Sequence, residues 1–138
     1  MKNLVMLLII SGCFVVFSCG KKESERFRLL TDPVWVTDSL LANGVDATGP
    51  GGILKKFMGD AKFEKDGTGT FGTYKGEWNF NTDETKLIIT SDSLPLAVNA
   101  DILELKSTSL KLKTLLPDPK DPLNPAAIIK IRMTFKPK

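Results

Sequence analysis

Residues 63–80 read FEKDGTGTFGTYKGEWNF, and their reading decides the fold. Ala61 and Phe63 share one face of a short alternating run, Ala61–Glu64. Asp66-Gly67 then marks a hairpin, because glycine accepts the positive φ that a tight turn between twisted strands requires. Thr68–Tyr74 reads as the returning strand with Phe71 at its centre, and Lys75-Gly76 as the next break. Beyond it, Gly76, Trp78 and Phe80 lie on one face while Glu77 and Asn79 take the other. Alternation of period two, punctuated by turn residues at short intervals, is the pattern of an antiparallel meander with one buried face.

The same rhythm runs downstream. Asn81–Glu84 is a polar turn, and Lys86–Thr90 a compact strand with Leu87 and Ile89 on one face. After a turn at Ser91–Pro95, Leu96, Val98, Ala100 and Ile102 alternate, but Leu103 and Leu105 fall on the other parity. A bulge near Asp101 reconciles the two phases. Ser107-Thr108 turns the chain, and Leu110 and Leu112 then alternate with Lys111 and Lys113. Pro117–Pro125 carries prolines at 117, 119, 122 and 125 and reads as a loop. In the last run Ile129, Ile131, Met133 and Phe135 face one way, with Lys130, Arg132, Thr134 and Lys136 opposite.

Upstream, Val34–Thr37 reads as strand and Asn43–Gly52 as a long Gly-rich loop. Ile53–Met58 suits one or two turns of helix, since its apolar residues fall at 53, 54, 57 and 58. The count is about eight strands with no β–α rhythm. The expected fold is all-β: a single antiparallel up-and-down β-barrel over residues 29–138, closed so that its edges are hidden.

The N-terminus reads as an address. Lys2 precedes the apolar runs Leu4–Ile10 and Phe14–Phe17, and a charged segment begins just after Cys19. This is the layout of a signal peptide, too short and interrupted for a membrane span. Val16-Phe17-Ser18-Cys19 resembles a bacterial lipobox, although Phe17 departs from the usual small or aliphatic residue. The expected organisation is a lipoprotein signal peptide at 1–18, a lipidated Cys19, a flexible polar tether through residue 28, and the barrel. Ile10-Ser11-Gly12-Cys13 is the competing string. Cleavage there would leave apolar Phe14–Phe17 at the head of the mature chain, so Cys19 is preferred. The implied location is the bacterial cell envelope, on the outer membrane, facing the periplasm or the cell surface.

Composition excludes several functions. A formal net charge of +3, evenly spread, does not point to nucleic acid. The 138 residues contain no histidine, so the commonest general base and metal ligand are both missing. Neither a catalytic carboxylate pair nor a metal-ligand spacing stands out, and no cofactor is implied. The expectation is a protein that is not an enzyme. Lys111, Lys113, Lys130, Arg132 and Lys136 would form a basic stripe on the outer wall. Ordinary solvent-facing charge is the favoured reading; docking of a partner protein or an anionic envelope surface is the sharper one.

Taken together, Trp35, Phe63 with Asp66-Gly67-Thr68, Gly72-Thr73-Tyr74, Gly76-Glu77-Trp78, Leu87-Ile88-Ile89 and the spaced Ile102, Leu105, Leu110 and Leu112 resemble a known family. It is the lipocalin-like domain of small lipoproteins of Gram-negative bacteria. Lipocalins carry Gly-x-Trp at the first strand, where this chain has Pro33-Val34-Trp35. The resemblance implies a meander barrel and brings no catalytic residue with it. Two readings remain open. In one, the barrel binds a small apolar ligand through Trp35, Phe63, Phe71, Tyr74, Trp78, Phe80, Met133 and Phe135, with its mouth near Trp35, Ile53–Met58 and Tyr74. In the other, these side chains fill the core, and the protein is a structural or adaptor lipoprotein that meets another envelope protein.

Overall fold

The computed structural model describes residues 22–138. The expected signal peptide, Cys13 and Cys19 lie outside the described residues. The first element is a helix, α1 (Glu25–Thr31), so residues 25–28 are not part of a tether. Ser24 caps it: the Phe27 N–H donates to the Ser24 Oγ at 3.0 Å. The Ser24 hydroxyl in turn donates to the Glu84 carboxylate at 3.0 Å, and the Arg26 Nε to the Glu84 carbonyl at 2.9 Å. At the other end, the Lys62 ammonium reaches the carbonyls of Thr31, Asp32 and Pro33, where the helix dipole favours a cation. A tether reading missed α1 because its apolar residues, Phe27, Leu29 and Leu30, sit among the charged Glu25, Arg26 and Arg28.

Nine strands follow among the described residues: β1 (Trp35–Ala42), β2 (Val45–Asp46), β3 (Asp60–Phe63), β4 (Thr68–Phe71), β5 (Tyr74–Phe80), β6 (Lys86–Thr90), β7 (Val98–Lys106), β8 (Ser109–Pro117) and β9 (Ile128–Pro137). All pairings are antiparallel. The sheet runs β2-β1-β3-β4-β5-β6-β7-β8-β9 and closes through β1–β9. Eight strands thus make the expected up-and-down barrel, and the short β2 adds to β1 outside the meander. The barrel closes within residues 35–137.

Local chemistry explains the details. The expected loop 43–52 contains β2, because Asn43 and Gly44 both take positive φ (50° and 82°) and make a two-residue hairpin turn. The break expected at Lys75-Gly76 falls instead at Gly72-Thr73, where Gly72 has φ 61°. Gly76 lies inside β5, opposite Gly69, at a point where a Cβ would overlap the Thr90 carbonyl oxygen. It serves close backbone approach rather than a turn. The β7–β8 register shifts between Ile102 and Glu104, which is the bulge the parity change required. A second shift on β1, between Thr37 and Ser39, lets both Trp35 and Leu40 point inward. Ile53–Met58 contains a single 3-10 turn at Lys55–Phe57.

The molecule has two unlike ends. α1 and the turns at 64–67, 81–85 and 107–108 lie at the near end. Residues 43–58, Gly72-Thr73, residues 91–97 and the Pro-rich 118–127 loop lie at the far end.

Candidate functional site

The barrel interior is where a ligand would sit, and the structure divides the eight expected residues. Phe63, Phe71, Met133 and Phe135 line one residual cavity, together with Leu54 and Thr114 among others. Trp35, Trp78 and Phe80 do not. Trp78 and Phe80 pack the near end as an aromatic cluster: Phe63–Trp78 and Trp78–Phe80 meet edge to face at 5.6 and 5.5 Å, and Phe27 of α1 covers Trp78 at 5.6 Å. Both indole N–H groups are used by the fold. Trp35 Nε1 donates to the Leu30 carbonyl at 3.0 Å, and Trp78 Nε1 to the Glu64 carbonyl at 2.9 Å. Tyr74 stacks on Phe57 at 4.6 Å at the far end, outside the cavity lining.

The expected mouth is therefore split. Trp35 is fully buried beneath α1 at the near end, while residues 53–58 and Tyr74 lie at the far end. The far end is closed by residues 47–58. The Ala47 N–H donates to the Leu40 carbonyl, the Leu54 N–H to the Ala47 carbonyl, and the Thr73 N–H to the Lys56 carbonyl. This lid inserts Leu54, 1% exposed, into the interior. What remains inside is a cavity of about 30 Å³. That is room for about one or two waters, whereas small-molecule sites occupy about 300–1,000 Å³. Its one polar lining group, the Thr114 hydroxyl, already donates to the Asn99 carbonyl at 2.7 Å. Among the described residues, no buried side-chain nitrogen or oxygen lacks a hydrogen-bond partner.

The outer wall carries the charge. Glu104 sits between Lys106 (3.1 Å) and Lys111 (3.2 Å). Hydrogen bonds from Ser109, Lys106 and Lys111 lower its pKa to about 2. Asp101 is held below the ordinary range chiefly by its hydrogen bond to Lys86, with Lys113 at 3.9 Å. Lys136 pairs with Asp38 at 3.4 Å. Three turns share one Asp-x-Thr device in which the aspartate accepts from the threonine hydroxyl two residues on: Asp46–Thr48, Asp66–Thr68 and Asp83–Thr85. In each case that bond lowers the aspartate pKa. These are turn locks, not a site. No group of three or more His, Cys, Asp or Glu able to hold a metal ion occurs among the described residues. No helix among them is long and apolar enough to cross a membrane.

Sequence reasoning missed Lys62 as the helix cap and Thr114 as an inward polar group. The second left a signal: Leu110, Leu112, Thr114 and Leu116 share a parity, and threonine is its lone polar member. A closed antiparallel barrel of eight strands with an N-terminal helix across one end defines the class, and it is consistent with a lipocalin-like fold. Compared with known protein families and with curated proteins, the chain matches none.

Proposed function

We propose that this is a lipid-anchored lipoprotein of the bacterial envelope whose lipocalin-like barrel is a solid, non-catalytic body. It acts as an adaptor, through its outer surface, on another envelope protein. The observation that carries this reading is the filled interior, with about 30 Å³ left between Leu54 and the strand side chains. The anchor rests on the sequence around Cys19. Four residues lie between Cys19 and Ser24, a reach of at most about 18 Å, and Ser24 joins the near end. That arrangement holds the near end toward the outer membrane and leaves the far end for a partner.

The test is native mass spectrometry of the chain from Gly20, produced in an envelope host. We expect the bare polypeptide mass. A reproducible extra mass removed by organic extraction would instead establish the second reading, a small apolar ligand held inside. One observation favours that alternative: the cavity lining is apolar apart from Thr114, and a lid with a single 3-10 turn closes it. For the anchor, Cys19→Ser should release the protein from membranes and Cys13→Ser should not.

A further inference from the structure

The exposed apolar side chains are not spread evenly over the barrel. Among the described residues, every exposed large apolar residue except Leu103 lies at the far end or in the far halves of β8 and β9. The most exposed of them, Leu123 at 94%, stands in the loop that joins those two strands. On the outer face of the same two strands, Pro117 stands opposite Ile128, and Leu115 stands opposite Lys130. The residues between them in sequence, Leu116 and Ile129, turn the other way, toward the interior. Leu115, Pro117 and Ile128 therefore form one apolar strip on the outside of the wall, with Leu123 beyond it in the loop.

Three cations border the strip. Lys113 and Arg132 stand directly opposite each other, next to the Leu115↔Lys130 pair. Like charges opposed across a ladder are destabilising, and carboxylates brought from outside would relieve them. The chain supplies few of its own. Lys113 reaches Asp101 at 3.9 Å, and Asp101 also pairs with Lys86. Lys130 and Arg132 have no carboxylate partner among the described residues. The loop acids are used within the loop: Asp118 accepts from the Lys120 N–H at 2.8 Å, and Asp121 from the Asn124 side-chain amide at 3.0 Å. Lys113, Leu115, Lys130 and Arg132 all line one surface cleft of about 590 Å³ on the outside of the wall.

We propose that the outer face of the far half of the β8–β9 hairpin docks an acidic protein. The partner's carboxylates meet Lys113, Lys130 and Arg132, and its apolar side chains cover Leu115 and Ile128. The contact is made by side chains alone, on a wall that stays closed. An apolar centre with charge at its rim, arginine included, is the anatomy of a protein–protein interface. The anchoring bilayer fits this surface less well. Ser24, where the chain from Cys19 enters, bonds to Glu84 in the β5–β6 turn, at the opposite end and on a different side of the barrel from Leu115. The proposal deepens the adaptor reading and rests on it, naming the partner's chemistry and the place where it docks.

The test uses the full chain in isolated envelopes of the bacterium that makes it. The photo-cross-linker p-benzoylphenylalanine is placed at Leu115 or, as a control, at the exposed Glu77 on β5, which stands across the ring from β9. We expect a protein adduct from Leu115 and none from Glu77, and mass spectrometry should find a peptide rich in Asp and Glu at the link. The yield should fall by about tenfold or more in Lys130→Glu/Arg132→Glu, and again in the parent when salt is raised to about 1 M before irradiation. A neutral or basic linked peptide, a yield indifferent to salt, or equal yields from the two positions would overturn the proposal. So would the absence of an adduct at Leu115; an adduct at Glu77 in that case would leave the adaptor reading standing, with its partner elsewhere on the wall. Adducts to lipid, or to a second copy of this chain, would reassign the surface and overturn the proposal too. The salt comparison needs no charge variant, so a folding defect in the double variant leaves the test decisive.

Discussion

Two seams of the barrel wall, β1–β3 and β7–β8, pair over less than their strands' length, and they are finished differently. β1 and β3 share two paired positions, Trp35↔Ala61 and Val36↔Asp60. Past them the chain seals the gap itself. The Thr37 N–H donates to the Gly59 carbonyl at 3.1 Å, the Thr37 hydroxyl lies 3.3 Å from the Phe57 carbonyl, and Leu54 plugs the interior beside them. Past Asp101↔Lys113 the β7–β8 seam is bridged by the Thr114 hydroxyl, which donates to the Asn99 carbonyl at 2.7 Å, with cations around it. One opening is closed with backbone and apolar groups; the other is left polar and basic.

The contrast predicts unequal mutational costs. Trp35→Ala should be the most damaging change. It removes a fully buried indole at the sealed seam and strips the Leu30 carbonyl of its donor. We expect a loss of about 3–5 kcal/mol in chemical denaturation. A loss under about 1 kcal/mol would mean that α1 and the seam do not depend on each other. Leu54→Ala comes next, at about 2–4 kcal/mol. It should also enlarge the cavity enough to admit xenon. A variant that is destabilised but takes up no xenon would show that the lid collapses inward.

Thr114→Val addresses the open seam. The lost hydroxyl leaves the Asn99 carbonyl without its partner, but the cleft lets water replace it, so the cost should stay below about 1 kcal/mol. Hydrogen exchange at residues 97–100 should quicken while that at residues 60–63 stays unchanged. Equal quickening at both places would erase the distinction between the seams.

Much of this was legible in the sequence because period-two alternation is cheap to read. Leu110, Leu112, Ile129, Ile131, Met133 and Phe135 are all buried, as their parity requires. The bulge on β7 was visible as a change of phase. The rest depends on contacts distant in sequence. The turn between β4 and β5 was misplaced because Gly72 and Gly76 look alike in a string; both stand against a neighbouring backbone, and only the φ of 61° at Gly72 marks the turn. α1 was missed because its docking partners, Trp78 and Glu84, lie more than fifty residues away. The open seam was hidden because alternation reports which face a residue takes, not whether its strand keeps a neighbour.

The smallest predicted effect is electrostatic, and it sits at the bulge within the β7–β8 ladder. Glu104 and Asp101 tie Lys106, Lys111, Lys86 and Lys113 across this part of the wall. Glu104 has a folded pKa of about 2, below its ordinary 4.5, and that of Asp101 is lowered as well. A depressed carboxylate pKa contributes stability that is fully present above the unfolded value and lost as pH falls through the folded one. The Glu104 contribution should therefore fade between pH 4.5 and about 2. The pairs face solvent, so added salt should shrink the effect. Melting temperature followed from pH 6 to about 2 should fall less steeply in Glu104→Gln than in the parent, and the two slopes should converge in about 1 M salt. Parallel slopes at low salt would show that the bulge is held by its ladder alone, with Glu104 adding no electrostatic clasp between Lys106 and Lys111.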